Sequence, residues 1–391
     1  MPDARPSHCN RPCSGSLLAP DRLALTLAMM LAVLLSWVPV LPAAGAEAQT
    51  LLVANKSDHT VDLMDLASGE SRATLPTGHA PHEITVSPDG QRAVISNYGD
   101  REKAGNSLTV VDVGTAKVLS TVELGEHTRP HGLAWIDTDT VVVTTEGSGR
   151  LLTVDVKQGK ILQEVATGHQ VSHMVAVSPA TEGGAGDRAF VSSIGSGKLA
   201  VIDLAKGEKI ADLATGEGAE GLAVSPDGKE VWIGNRAADT LTVLDATSLE
   251  ILATVPCPGF PIRVTFTPDG KHLLVSAART GEVAVFDVAA RKELRRGPLD
   301  LTNAPDAARR LFGDQFGSSP VPVGLVVDPD GSRAWVAATQ ADAVVVIDPE
   351  TLEVQDLLRA GREPDGMAWS SVRAPAAEES EEIQDGTEES R

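Results

Sequence analysis

Aromatic residues, cysteine and positive charge are all scarce in this chain. One Tyr, five Trp and six Phe among 391 residues make aromatics only 3%, so small β-branched residues and glycine must fill the interior. Cysteine is limited to Cys9, Cys13 and Cys257. The first two fall in the N-terminal segment, which leaves Cys257 alone in the remainder and excludes an internal disulfide there. No Cys-x-x-Cys-His occurs, excluding covalently attached c-type haem, and no Cys follows the apolar run to accept a lipid. Cys257 reads as a small turn residue. Lys and Arg number 33 against 54 Asp and Glu, a formal net charge of −21. Such a balance argues against non-specific binding to nucleic acid or an anionic membrane, both of which need a basic surface.

Only one long hydrophobic run is present, residues 23–41 after Arg22, followed by the small-x-small triplet Ala44-Gly45-Ala46. Residues 1–46 are therefore expected to be a cleaved secretory signal, with a periplasmic or secreted destination and no stable membrane anchor once cleaved. The run is also long enough to act as an uncleaved anchor. Residues 47–371 read as one domain. Residues 372–391, with Glu378, Glu379, Glu381, Glu382, Asp385, Glu388 and Glu389, read as a solvated acidic tail expected to be disordered.

What the chain has in abundance is repetition. Seven alternating apolar runs end in Asp65, Asp112, Asp155, Asp203, Asp245, Asp287 and Asp348, at intervals of 47, 43, 48, 42, 42 and 61 residues. A period near 42 with four strand-like segments per unit is the mark of a propeller blade. The fold class expected is all-β: a seven-bladed β-propeller of four-stranded antiparallel blades. Ser87-Pro88-Asp89-Gly90, Ser225-Pro226-Asp227-Gly228, Thr267-Pro268-Asp269-Gly270 and Asp328-Pro329-Asp330-Gly331 are tight turns, with Pro presetting φ and Gly tolerating φ > 0. The seven Asp residues invite reading as a carboxylate set. Each precedes a turn whose N–H groups it can accept, and a residue needed by every blade is structural. The chain starts mid-repeat at Leu51-Leu52-Val53-Ala54-Asn55 and closes with an innermost-strand sequence, Gly366-Met367-Ala368-Trp369-Ser370. That last strand should complete the first blade and join the N- and C-terminal strands.

A Pro-x-Gly entry, a Ser-Pro-Asp-Gly turn, a strand ending in Asn as in Val94-Ile95-Ser96-Asn97, and a Val-x-Asp run together resemble the YVTN-repeat, YncE-like β-propellers over residues 50–371. Ser193 stands where the Asn would fall in Phe190-Val191-Ser192-Ser193, so that copy departs from the pattern. The resemblance implies a seven-bladed propeller, usually exported, in a family whose roles span binding, scaffolding and cofactor-dependent redox work.

Function should show as departures from the repeat. Where the innermost strands begin, the ring reads Asp365, His82, His131, His173, Glu220, Ile262 and Val323. A second His precedes three of these, at His79, His127 and His169, so six of nine histidines occupy three equivalent loops. Imidazoles beside carboxylates suit Zn, Cu or Fe, and His79, His82, His127, His131, His169 and His173 are the candidate ligands, flanked by Glu220 and Asp365. Residues 297–319 form an insertion on the same face, with a short amphipathic helix expected over Asp306–Phe312; residues 99–106 form a second. A third, residues 181–187, falls on the opposite face. These features favour an exported, periplasmic binding protein or scaffold, non-catalytic, taking a metal, cofactor, small molecule or protein partner at the His-rich mouth. The alternative is a propeller enzyme, either a metal-assisted hydrolase such as a lactonase or a cofactor-dependent redox protein. No Ser-His-Asp elbow or phosphate loop supplies catalytic residues.

Overall fold

Strict alternation of apolar residues along each run gives strands that bury both faces between neighbouring sheets, and seven such sheets close into a ring. A computed structural model describes residues 49–179 and 188–376. Residues 1–46, expected to be a signal, the insertion at 181–187 and most of the acidic tail lie outside the described residues. Seven four-stranded antiparallel sheets are present, and every strand pairs with its sequence neighbour except at the closure. There, Pro364–Ser370 pairs with Thr50–Asn55, placing Leu51 opposite Trp369 and Leu52 opposite Ala368. The last strand thus becomes the innermost strand of blade 1 and gives it the same four strands as the other six blades.

Packing between blades supplies the core. Leu52, Leu63, Ile84 and Ile95 are fully or almost fully buried where blade 1 meets blade 2. Val94, Leu108, Val141 and Leu152 repeat the arrangement one blade on. Each such side chain contributes roughly 1.5–3 kcal/mol by leaving water.

The run-ending aspartates work as turn braces. Asp65 Oδ1 accepts the N–H groups of Ala67 and Ser68, Asp245 Oδ1 those of Thr247 and Ser248, and Asp348 Oδ1 those of Glu350 and Thr351. Asp112, Asp155, Asp203 and Asp287 each accept one equivalent bond. The repeat Asn is structural as well. Asn97 Oδ1 accepts the Gly78 N–H at 3.0 Å, and a Cβ at residue 78 would overlap the Asn97 side chain.

One expectation is corrected. The insertion carries no amphipathic α-helix over Asp306–Phe312, only a single 3-10 turn at Ala307–Arg309. Arg310 is the reason: its guanidinium is buried and clamped by Asp306 and Asp342, which fixes the chain as a folded loop, and Gly313 then takes positive φ.

Candidate metal centre at the channel mouth

The backbone places the mouth residues before any side chain does. The residue preceding each innermost strand adopts the left-handed conformation: Ala80, Arg129, Val171, Phe260, Val321 and Glu363 with φ from 48° to 67°, and Gly218 with φ 72°. For β-branched Val171 and Val321 this region is strained. In all seven blades its carbonyl accepts an N–H from a residue at the end of the second strand or just past it, namely Tyr98, Glu146, Ile194, Arg236, Ala278, Thr339 and Lys56 in blades 2 to 7 and 1. Two concentric sets of seven positions result, one beginning the innermost strands and one ending the second strands.

Buried hydroxyls lock the inner set to the neighbouring blade. Thr144 accepts the Gly132 N–H at 2.9 Å and donates to the His173 carbonyl at 2.5 Å. Ser192 links Met174 to the Glu220 carbonyl, and Ser276 links Arg263 to the Val323 carbonyl, in the same way. Glycine follows the ring residue in four blades (Gly132, Gly221, Gly324, Gly366) because a Cβ there would strike the next blade's backbone; at Gly132 it would lie 2.6 Å from the Val175 nitrogen.

On this frame His82, His131 and His173 form a contiguous stack. Ring centroids are 4.1 Å apart for His82 and His131 and 3.6 Å for His131 and His173. Tyr98, the only tyrosine, stands edge-on to His82 and His131 at 5.2 and 5.4 Å. Asp365 Oδ2 lies 2.9 Å from His82 Nδ1, close enough for charge attraction but poorly aligned for a hydrogen bond. Glu146 bonds His173 Nδ1 at 2.5 Å and accepts the Tyr98 hydroxyl at 2.5 Å, while Glu220 lies 3.3 Å from His173 Nε2. Four ring nitrogens have no aligned hydrogen-bond partner: Nδ1 of His82, both nitrogens of His131, and Nε2 of His173. His131 is 0% exposed, so both of its nitrogens without a protein partner are buried, where a polar group left unpaired costs about 1–3 kcal/mol.

Charge surrounds the stack. Arg263 crosses to Glu83, Arg236 holds Glu220 at 2.6 Å, and Lys56 lies 3.5 Å from Asp365. Burial works against ionisation of Glu220, but Arg236, His173 and Arg263 hold its carboxyl down to about 2. Burial likewise opposes the Asp365 charge, and His82, Lys56 and Arg263 keep it far below the usual carboxylate range. Burial, followed by the neighbouring charges of His173 and His82, pushes His131 well below the normal His value. His173 moves the other way: burial opposes its charge, yet Glu146 and Glu220 raise it. Four carboxylates (Glu83, Glu146, Glu220, Asp365) face Lys56, Arg236 and Arg263, and Glu146 and Glu220 favour a fourth positive charge on His173 between them. Two overlapping donor groups, His82–Glu83–His131 and His131–Glu146–His173, keep their ligand atoms within 4.8 Å of one another.

The other three histidines do not join this cluster. His79 pairs with Asp100 at 2.8 Å, His127 with Ser148 at 3.0 Å and Glu164 at 3.4 Å, and His169 with Asp212 at 2.6 Å. Glu164 and Asp212 sit on outermost strands, so His127 and His169 engage the blade periphery, whereas Asp100, the partner of His79, lies in the loop after the second strand of blade 2. Several residues of the cluster escaped the sequence reading: Glu83, Arg263, Tyr98, Glu146, Lys56 and Arg236. The position after the ring residue is glycine in four blades, which made Glu83 and Arg263 conspicuous; the position after the repeat Asn would have led to Lys56, Tyr98 and Arg236.

Comparison with known proteins agrees with the architecture. A model of the YNCE-like β-propeller family matches residues 127–311. The proteins named "Uncharacterized protein YncE" of Salmonella typhi and Salmonella typhimurium are each 24% identical over 242 residues, covering 59% of this chain and 67% of theirs. Among solved structures, Kuenenia stuttgartiensis hydrazine synthase is similar with a TM-score of 0.59 and 22% identity, over 73% of this chain and 88% of that one. A functionally unknown protein from Desulfotomaculum acetoxidans DSM 771 reaches a TM-score of 0.67 at 14% identity, over 83% and 99%. At these identities the structural likenesses speak for the fold alone. The seven closed blades, the repeat, the family match and the Salmonella relatives together support a likeness to the YncE-like β-propellers.

Proposed function

We propose that this chain is an exported binding protein whose axial histidine cluster holds one transition metal ion. The observation that carries the reading is His131, fully buried with two unpartnered ring nitrogens between two further imidazoles. A buried network left this far from satisfied is costly, and a cation would engage the orphan nitrogens beside the surrounding carboxylates. Imidazole and carboxylate donors suit Zn, Cu(II) or Fe(II). Bonds of about 2.1 Å in tetrahedral geometry set neighbouring donors roughly 3.4 Å apart, so ligand atoms now within 4.8 Å of one another would need to draw in by about an ångström. Cys257 is buried in blade 5, where burial pushes its thiol up to about 12, and it offers no thiolate to the site. The export half of the reading rests on residues 1–46.

The test is elemental analysis of protein secreted by its native host, followed by calorimetric titration of stripped protein with Zn and Cu(II). About one equivalent of metal should bind, with at least about a 100-fold loss of affinity in the His82→Ala, His131→Ala, His173→Ala triple variant. Substoichiometric metal in native protein, or equal binding by the triple variant, would leave the histidines as a buried proton-bonded network only.

A further inference from the structure

The two insertions on the mouth face meet each other, and the space between them is a positively charged cleft. The Arg101 guanidinium, in the loop of blade 2, donates to the Leu311 carbonyl of the 297–319 insertion at 3.2 Å. Leu311 N–H donates to Glu363 at 2.7 Å, and Gln340 reaches the Gly313 carbonyl at 3.0 Å. At its other end the insertion seats Phe316 against Phe260, 5.0 Å between ring centroids, over the apolar ring positions Ile262 and Val323. It is therefore a strap that seals the apolar side of the mouth and leaves a cleft of about 490 Å³ on the side of blades 1 and 2, lined in part by Tyr98. Small-molecule pockets span about 300–1,000 Å³.

Charge in the cleft runs opposite to the chain as a whole. Lys56, Arg101, Arg129, Arg309 and Arg310 line it against Asp100, Glu102 and Glu363, in a protein of net charge −21. Arg310 is matched by Asp306 and Asp342 and Lys56 faces Asp365, which leaves Arg101, Arg129 and Arg309 as the lining cations without an ion-pair partner among the described residues. Two of these carboxylates are already engaged. Glu363 accepts the Ser57 hydroxyl at 2.6 Å and the Leu311 N–H, and Asp100 accepts the Glu102 and Lys103 N–H groups at 2.8 Å each besides facing His79. Among the described residues the Arg309 side chain has no hydrogen bond or ion pair. Arg129 makes one bond, to the Asp100 carbonyl at 3.0 Å, and lies over the Tyr98 ring, 5.2 Å from its centroid. Guanidinium forks held on an aromatic floor match the planar oxygen pairs of carboxylates and phosphates.

We infer that this cleft binds a small oxyanion-bearing molecule, a carboxylate or a phosphate, through Arg129 and Arg309 beside Lys56. The inference rests on reading the mouth as a binding face and does not need a metal at the histidines. Its test is calorimetry in low-chloride buffer on full-length protein stripped of metal by chelator and dialysis, using citrate, malonate and inorganic phosphate as separate probes. At least one should bind more tightly than about 1 mM, weakening about tenfold in Arg129→Gln/Arg309→Gln and measurably in Arg309→Gln alone. The exposed Arg309 serves as the second variant, because its replacement should not disturb folding. The citrate and phosphate arms separate the two ligand classes. If no probe binds more tightly than about 1 mM, if the double variant binds as well as the parent, or if binding appears only after Zn is restored, the inference is overturned. Loss of the metal reading alone would leave these titrations unchanged.

Discussion

Replacing Arg263 with Met should damage the propeller far more than replacing Arg263 and Glu83 together. Arg263 is 7% exposed and joins Glu83 from the far side of the axis, also lying 3.9 Å from Glu220. Losing only the cation leaves Glu83 as a buried charge without its partner, a cost of about 3–5 kcal/mol. Unfolding entropy of about 2.1 cal/mol/K per residue over roughly 320 described residues comes to about 0.67 kcal/mol/K. The melting temperature should therefore fall by roughly 5–7 °C. In Glu83→Leu/Arg263→Met the uncompensated charge is gone, while Glu220 keeps Arg236 and Asp365 keeps Lys56, so most of the loss should be recovered. Differential scanning calorimetry of the three proteins at neutral pH decides the matter. A single variant that melts with the parent, or a double variant no more stable than the single, would refute a cross-axis ion pair of this strength.

Other outcomes follow from the same frame. Gly132→Ala places a Cβ 2.6 Å from the Val175 nitrogen and should cost about 1–3 kcal/mol, seen as a lower urea midpoint with an unchanged slope. Ending the chain at Asp365 removes the strand paired with Thr50–Asn55, and the product should show no cooperative thermal transition; a stable monomer would contradict closure. Asp65 is held down to about 2: burial opposes its charge, but the Ser68 N–H and Arg72 overcome it. Its folded value is depressed, so its stabilisation is complete above about pH 4 and fades as pH falls toward 2. Asp65→Asn should thus melt below the parent at pH 7 and converge with it near pH 2, followed by circular dichroism.

The repeat disclosed the blades because period-two alternation, a turn signal and a terminal Asp are all local. It disclosed the inner ring for the same reason: His82, His131, His173, Glu220 and Asp365 occupy one repeat position, and the structure gathers them at one mouth. The outer ring was harder. Lys56, Tyr98, Glu146 and Arg236 are brought in by a carbonyl from the preceding left-handed residue, an interaction with no residue-type signature, since Ala, Arg, Val, Phe, Glu and Gly all fill that conformation. His79, His127 and His169 share the motif spacing with the inner histidines, but they pair with Asp100 of the blade 2 loop and with Glu164 and Asp212 on outermost strands. The strap turns on a tertiary contact that local spacing does not show, since Asp342 holds the buried Arg310 from 32 residues further along the chain.

Because main-chain bonds and buried strand hydroxyls hold the mouth positions, the chemistry of the mouth is largely separable from its architecture. Apolar Ile262 and Val323 occupy the same kind of seat as His131, and Ile194 or Ala278 the same kind as Tyr98. Substitutions at these seats therefore rewrite what the face recognises without renegotiating how it is built, and donor sets moved one blade around the ring should arrive at the axis with their geometry intact.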